Sequence, residues 1–498
     1  MDTKNSYSTI LKATGLFGFT QLFKLAIGVV NSKLISVFLG PVGMGVFGLL
    51  NNTIAIITSA TGFGITISGV KAVVDAQDKS EVQLNKTLQV LKMWSLVTGG
   101  IAALFSIIFS SFLSQWTFGT TDKYYYFIFL ALAFVATSFA TTQMVILQGL
   151  RKLKLIGLVS VISAFLSLLV NVPLYYFYKI DGLVPAVIAT AVIYFLVHWY
   201  FTRNLKTAAT NLSFKDYLAE GKPLIKLGFL LSLNSVFGYL CAFLIKLFLN
   251  QNGTETAFVG FYEVSTIILI SYLGLIFNAM GSDYYPRLTA VKNDNSVISK
   301  LVNDQIEIGL LLVLPAIFIL YFVAPWLIPV LYSKEFLPVL DILKLGLFAV
   351  ILKTIIWPLS FVILAKGNNK QYFKQELISD ALYLMFTYFL FKKMGLVGIG
   401  LAMVLHFLSY GLYIFYFVNK EYNVKLRQQT KDLILKVLLL SVVLLLVVFL
   451  TNGFLQKSLQ LLLVILSLVF VYIEFNKRVA VLPFLLKLKI KLLGFKTK

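Results

Sequence analysis

The chain has 498 residues, of which 59% are hydrophobic and 13% charged, and its mean hydropathy is +0.88. A soluble domain carries roughly 25% charged residues, so this composition excludes most soluble enzymes, disordered scaffolds and disulfide-stabilised secreted domains. The 43 lysines and arginines outnumber the 21 acidic residues. In a polytopic membrane protein such an excess is typical of cytoplasmic loops, and we predict no nucleic-acid binding.

Apolar stretches long enough to cross about 30 Å of hydrocarbon as helices follow one another along the chain. They are longer than barrel strands and lack the alternation of polar and apolar residues that barrels show. The first ten residues, MDTKNSYSTI, do not resemble a cleaved signal peptide. We predict an all-α polytopic fold with fourteen transmembrane helices near 11–38, 46–70, 85–112, 124–148, 154–178, 182–202, 223–250, 257–282, 303–324, 338–366, 372–392, 394–419, 432–451 and 454–475.

The distribution of positive charge predicts the orientation of these helices. With the N-terminus in the cytoplasm, the inner segments hold 30 lysines and arginines and the outer loops hold 6. Because positive residues concentrate on the cytoplasmic side, both termini are predicted to be cytoplasmic. The outer loops are all short, which disfavours a membrane polymerase or glycosyltransferase with a large outer loop.

An internal repeat indicates how the helices are grouped. The letters GLV at 182–184 recur at 395–397, and KL at 33–34 recurs at 246–247, both at an offset of 213. A duplicated unit of six helices keeps its orientation, which implies two lobes related by a pseudo-twofold axis along the membrane normal. The predicted organisation is an N-lobe at 1–203, a cytoplasmic connection at 204–222, a C-lobe at 223–419, two appended helices at 420–475 that pack outside the lobes, and a basic amphipathic tail at 476–498.

Three segments resemble those of a known family: KLISVFLGPVGMGVFGLL at 33–50, GSDYYPRLTAV at 281–291 and LYSKEF at 331–336. Over about 1–420 the chain resembles the Wzx-type O-antigen and polysaccharide repeat-unit flippases of the multidrug/oligosaccharidyl-lipid/polysaccharide (MOP) exporter superfamily. The two appended helices and the basic tail depart from the family pattern.

The resemblance implies a MATE-like fold of two six-helix lobes around a central cavity. It also implies alternating-access transport of undecaprenyl-pyrophosphate-linked oligosaccharide from the cytoplasmic to the outer leaflet of the bacterial inner membrane. Such a protein serves lipopolysaccharide or other polysaccharide biosynthesis, with polymerases or assembly proteins as partners. Anionic membrane lipids are the expected partner of the basic tail.

Lys24 is the first candidate for binding an anionic cargo. A charge at the bilayer centre costs about 2.5–3.5 kcal/mol, so it needs a partner, a wet cavity or a route to the surface. Thr20, Lys24, Gly28 and Asn31 share one face of the first helix. This polar face predicts that Lys24 and Asn31 line a cavity; the alternative is a polar seam against another helix.

Four further lysines complete the predicted cationic cavity. Lys33 and Lys246 hold equivalent places in the repeat, near outer helix ends, so each either lines the cavity or snorkels outward. The family's first helix resembles this one, with lysines at the positions of Lys24 and Lys33. Lys353 lies near the middle of helix ten and Lys92 seven residues into helix three. Lys24, with Lys353 and Lys92, is expected to hold the pyrophosphate.

Three intramembrane carboxylates are candidates for ion or proton coupling. Glu376 and Asp380 lie four residues apart on one face of helix eleven, and Glu263 lies in helix eight. Burial and a neighbouring carboxylate favour proton uptake, so H⁺ or Na⁺ is the expected coupling ion; the alternative is a salt bridge to a cavity lysine. We predict no catalytic residues, no metal site and no other cofactor. The alternative function is export of drugs or cations.

Overall fold

The computed structural model describes residues 3–203, 213–252 and 256–478. Within these ranges the chain forms α-helices joined by short turns, and no β-strand occurs there. The α-helices are α1 (Thr3–Thr61), α2 (Ile65–Gln77), α3 (Glu81–Ile108), α4 (Ser110–Phe118), α5 (Tyr124–Gly149), α6 (Leu153–Tyr178), α7 (Leu183–Thr202), α8 (Phe214–Asn252), α9 (Ala257–Thr266), α10 (Gly274–Ala290), α11 (Asn295–Leu331), α12 (Val339–Ala365), α13 (Asn369–Tyr422), α14 (Gln428–Leu450) and α15 (Gly453–Arg478).

The predicted all-α membrane fold is confirmed. The described residues contain 11 helical stretches that are long and apolar enough to cross a membrane. Three of these stretches each hold two predicted spans, separated at Gly40 in α1, at the short turn 179–182 and at Gly395 in α13. Each of the fourteen predicted spans therefore overlaps a helical segment.

The second predicted span ends earlier than its hydropathy indicated. Residues 46–70 were predicted as one helix, but α1 ends at Thr61 and α2 begins at Ile65. Gly64 has a positive φ of 65° and packs against α8 so closely that a Cβ there would lie 2.2 Å from the carbonyl oxygen of Gly228. This backbone contact between helices breaks the span, and hydropathy does not report it.

The described residues cluster into two compact units. The first comprises Met1–Phe261 with Leu331–Glu335, and the second comprises Tyr262–Val330 with Phe336–Lys498. Helix α8, predicted as the first helix of the C-lobe, belongs to the first unit because it packs against α1, α2 and α3. The predicted lobes rest on the sequence repeat rather than on packing, and their boundaries stay a prediction.

One turn geometry recurs in both units. Lys179 has φ 50° and ψ −130°, and Gly395 has φ 57° and ψ −136°. Three residues further on, a Cβ added to Gly182 would lie 2.2 Å from the carbonyl oxygen of Leu174, and one added to Gly398 would lie 2.2 Å from that of Leu390. The turns therefore correspond at an offset of 216 residues here, three more than the GLV letters predicted.

The appended helices α14 and α15 belong to the second unit. Lys457 of α15 lies 4.6 Å from the ring centroid of Trp326 on α11, and α14 packs against α12. Glu474 of α15 is buried between the ammonium groups of Lys436 and Lys477, at 3.2 Å and 3.3 Å. Of the predicted lipid-binding tail, residues 479–498 lie outside the described residues.

Candidate substrate-binding site

A cavity of about 620 Å³ lies inside the first unit, among α1, α5, α6 and α7. The apolar part of its wall includes Phe47 and Phe134. Its polar wall consists of amides, hydroxyls and one imidazole, contributed by Asn31, Asn51, Thr137, Thr141, Ser167, Asn171, Tyr175, Thr190, Tyr194 and His198. This volume falls in the range of about 300–1,000 Å³ that is typical of small-molecule sites.

A second hollow of about 450 Å³ adjoins the first and shares Asn51, Thr137 and Thr141 with it. Hydroxyl groups dominate its polar wall, and α3 contributes Gly99. Lys92 precedes Gly99 by seven residues, so the two lie on the same face of α3, about 10 Å apart along the helix axis. Lys92 itself is not among the residues that line either hollow.

Two of the predicted site lysines are engaged by oxygen atoms of the protein. Lys246 is only 4% exposed and donates to the carbonyl oxygen of Gly48 at 3.0 Å and to Oδ1 of Asn52 at 2.6 Å. Lys33 donates to the carbonyl oxygen of Tyr332. Neither lysine is among the residues that line the two hollows, and Lys246 instead connects α8 to α1.

Two other site lysines form no ion pair with a described carboxylate. Lys92 and Lys353 are both half-buried within membrane-spanning helices. The ammonium of Lys353 lies 5.0 Å from the ring centroid of Phe277, a cation–π contact inside the second unit. Such a contact contributes about 0.5–2 kcal/mol, and it leaves the positive charge without a counter-ion in the described part of the chain.

Of the two candidates on the first helix, the structure describes the side chain of Asn31 but not that of Lys24. Asn31 lines the larger cavity, as its predicted face requires, and its Oδ1 is buried without a hydrogen-bond partner among the described residues. Lys24 lies on α1, and its side chain is outside the described residues. Its predicted role in binding the cargo stays a prediction.

The candidate carboxylates all lie in the second unit. Glu376 and Asp380 share a face of α13, as predicted, and both are half-buried. Oε1 of Glu376 accepts a hydrogen bond from Tyr410 at 3.3 Å, and the Tyr410 hydroxyl also lies 3.4 Å from Ser360. Glu263 is half-buried on α9. No described group of three or more histidine, cysteine or acidic residues has the arrangement of a metal site.

A histidine contact extends the polar network around Glu376. His406 Nε2 lies 2.8 Å from Ser379 Oγ, and its ring stacks on Tyr410 with centroids 5.9 Å apart. Asn171, Thr190, Tyr194 and Tyr410 were not among the predicted site residues. Asn171 follows Ser163 and Ser167 at four-residue spacing on α6, and Thr190 precedes Tyr194 and His198 at the same spacing on α7. These polar faces on apolar helices are the signal that could have identified them.

Replacing Lys246 with methionine is expected to lower the free energy of unfolding by about 1.5–3 kcal/mol, the usual contribution of hydrogen bonds to a charged group. Lys92→Met is the matched control. It removes a half-buried charge without an ion pair, so it should leave the unfolding free energy unchanged or raise it. Thermal unfolding of the purified variants in detergent measures both, and equal losses in the two would contradict the role assigned to Lys246.

Comparisons with known proteins agree with this architecture. Residues 34–341 match the model of a family described as polysaccharide biosynthesis protein. The lipid III flippases of Escherichia coli (strain K12) and Shigella flexneri are each 22% identical over 414 residues, covering 81% of this chain and 96% of the relative.

Two solved structures share the fold. The lipid II flippase MurJ in an inward closed conformation has a TM-score of 0.71 at 16% identity, covering 93% of this chain and 99% of that one. An inward-facing multidrug resistance MATE family transporter of the MOP superfamily has a TM-score of 0.67 at 15% identity, covering 81% and 94%.

The bundle of membrane-spanning helices shares its fold with these two structures. Because the family model covers more than half of its residues, the chain belongs to the polysaccharide biosynthesis protein family. This family agrees with the predicted resemblance to polysaccharide repeat-unit flippases. The relatives and neighbours named above are flippases and transporters, in agreement with the prediction that the chain is not an enzyme.

Proposed function

We propose that this protein transports undecaprenyl-pyrophosphate-linked oligosaccharide repeat units from the cytoplasmic to the outer leaflet of the bacterial inner membrane. The observation that carries the proposal is the presence of Lys92 and Lys353, half-buried in membrane-spanning helices with no ion pair to a described carboxylate. Intramembrane charges that persist without a partner are usually functional. An anionic headgroup supplies the missing counter-charge, and the lipid III flippases are relatives of this chain.

In this proposal the lysines replace part of the hydration shell of the pyrophosphate. An anion that crosses hydrocarbon alone loses its hydration at a prohibitive cost, whereas an ammonium group nearby offsets that loss. Lys24, Lys92 and Lys353 serve this purpose, while Lys33 and Lys246 are engaged by backbone and amide oxygens.

The proposal also places both chain termini in the cytoplasm and pairs the basic tail with anionic lipid.

Glu376 and Asp380 are the proposed site of ion coupling. Their shared face on α13 and the Tyr410 hydroxyl beside Glu376 offer oxygen ligands to H⁺ or Na⁺. Transport into vesicles with an imposed pH or sodium gradient tests this role. If Glu376→Gln with Asp380→Asn leaves transport equally responsive to either gradient, the two carboxylates do not couple it.

The proposed cargo is tested by identifying the lipid-linked sugar that accumulates in cells lacking the protein. We expect an oligosaccharide on undecaprenyl pyrophosphate to accumulate on the cytoplasmic face and to disappear when the gene is restored. A cation exporter is the alternative function. Unchanged lipid-linked sugars together with increased sensitivity to cationic drugs would favour that alternative and contradict the proposal.

A further inference from the structure

The polar side chains of the larger cavity in the first unit are amides, hydroxyls and one imidazole. None of the described side chains that line it is a lysine, arginine, aspartate or glutamate. Three amides and six hydroxyls converge on it, with phenyl and alkyl groups between them. A phosphate needs cationic partners, and the wall offers no lysine or arginine, whereas its amides and hydroxyls suit a neutral ligand with many hydrogen-bonding groups.

The equivalent positions in the second unit carry different chemistry. At the offset of 216 given by the recurring turn, the cavity residues Thr190 and Tyr194 correspond to His406 and Tyr410, and Ser160, which does not line the cavity, corresponds to Glu376. In the second unit Tyr410 donates a hydrogen bond to Glu376 and stacks on His406, which is hydrogen-bonded to Ser379. The tyrosine is common to both units, but the ionisable groups of the second unit are serine and threonine in the first.

Hydrogen bonds within the protein hold Asn171 and Thr190 in place at the cavity wall. The two side chains are paired at 3.2 Å, and with the amide turned so that its oxygen accepts from Thr190, its nitrogen donates to the carbonyl oxygens of Ala186 and Ser167. Oδ1 of Asn31 is buried without a partner in the described part of the chain, and Tyr175 lies beside Asn31. Buried polar atoms are nearly always hydrogen-bonded in folded proteins, so an acceptor left over at a cavity wall indicates a ligand or bound water.

We infer that this cavity binds the uncharged sugar units of the cargo, pyranoses bearing hydroxyl or acetamido groups. The inference rests on the proposed function. It places the sugars of the cargo in this cavity and the pyrophosphate at the lysines, which do not line it. Sugar hydroxyls and acetamido groups match the amides and hydroxyls of the wall. The C–H faces of a pyranose match Phe47 and Phe134. Hydrocarbon chains fit less well because they would leave the polar wall groups without partners.

The inference is tested with two probe lipids and the purified full-length protein in lipid nanodiscs. One probe is undecaprenyl pyrophosphate without sugar, and the other carries an uncharged disaccharide of N-acetylhexosamines. Asn171→Leu and Thr190→Val are each expected to raise the Kd of the sugar-bearing lipid at least tenfold and to leave the Kd of the sugar-free lipid unchanged. Thr190→Ser keeps the hydroxyl and should bind both lipids like the unmodified protein.

Thr53→Val is the matched control, because Thr53 is a buried threonine of the first unit that does not line the cavity. It should change neither Kd, whereas Lys92→Ala should raise both. If Asn171→Leu and Thr190→Val bind both lipids normally, the cavity holds water only and the inference is wrong, while the proposed function stands. If the unmodified protein binds the two lipids equally, the inference is also wrong. Binding of neither lipid would overturn the proposed function itself.

Discussion

Replacing Lys24 with alanine is expected to abolish transport of the lipid-linked cargo while the protein still inserts into the membrane. The lysine lies mid-span in the first predicted helix, too deep for its ammonium to reach either surface easily. Loss of its charge leaves the pyrophosphate with less compensation for its lost hydration. We expect the initial transport rate in vesicles to fall at least a hundredfold, which corresponds to about 2.8 kcal/mol.

Two further variants define the control for Lys24. Lys24→Arg keeps the positive charge and should retain part of the transport. Lys370→Ala removes a lysine that is exposed at the start of α13 and should transport normally. Normal transport by Lys24→Ala at equal protein levels would show that the charge on this helix does not serve the cargo.

Replacing Gly228 with alanine is expected to destabilise the first unit severely. A Cβ at this position would lie 2.2 Å from the carbonyl oxygen of Phe63 and 2.8 Å from the Cα of Gly64. These are backbone atoms, so the clash is relieved only if α8 moves away from the turn between α1 and α2. We expect the free energy of unfolding to fall by about 3 kcal/mol or more, at the upper end of overpacking effects.

Gly100→Ala is the matched control for this substitution. Gly100 also lies within a membrane-spanning helix, α3, but no described atom outside the backbone of its own helical turn lies within 4 Å of the position that its Cβ would take. Alanine also favours the helix relative to glycine. Thermal unfolding followed by size-exclusion chromatography in detergent compares the two variants. Similar unfolding temperatures for them would contradict the close packing at Gly228.

Hydropathy predicts the membrane-spanning segments of this chain because the length and apolarity of each span are local properties of its sequence. It misses the end of α1 at Thr61, because that end depends on the approach of Gly64 to Gly228, 164 residues away in sequence. The GLV letters predict a repeat at an offset of 213, whereas the recurring turn corresponds at 216, because that turn is defined by backbone geometry at Lys179 and Gly395.

The charged residues of the site could be predicted from the sequence, but the contacts between its helices could not. Their positive charge within the membrane identifies Lys92 and Lys353 as candidates for binding the cargo, because burying a charge there costs free energy. The same rule also selects Lys246, whose hydrogen bonds to Gly48 and Asn52 depend on packing between α8 and α1. The uncharged wall at Asn171 and Thr190 lies on helices that sequence periodicity alone does not bring together.

Transport in reconstituted vesicles distinguishes a flippase for lipid-linked oligosaccharides from an exporter of cations. The purified protein is incorporated into vesicles whose outer leaflet receives a fluorescent undecaprenyl-pyrophosphate oligosaccharide, and a membrane-impermeant quencher reports how much remains outside. We expect protein-dependent protection of the lipid from the quencher, lost in Lys24→Ala and retained in Lys370→Ala. Equal quenching with and without the unmodified protein, in vesicles that still move a cationic dye, would contradict it.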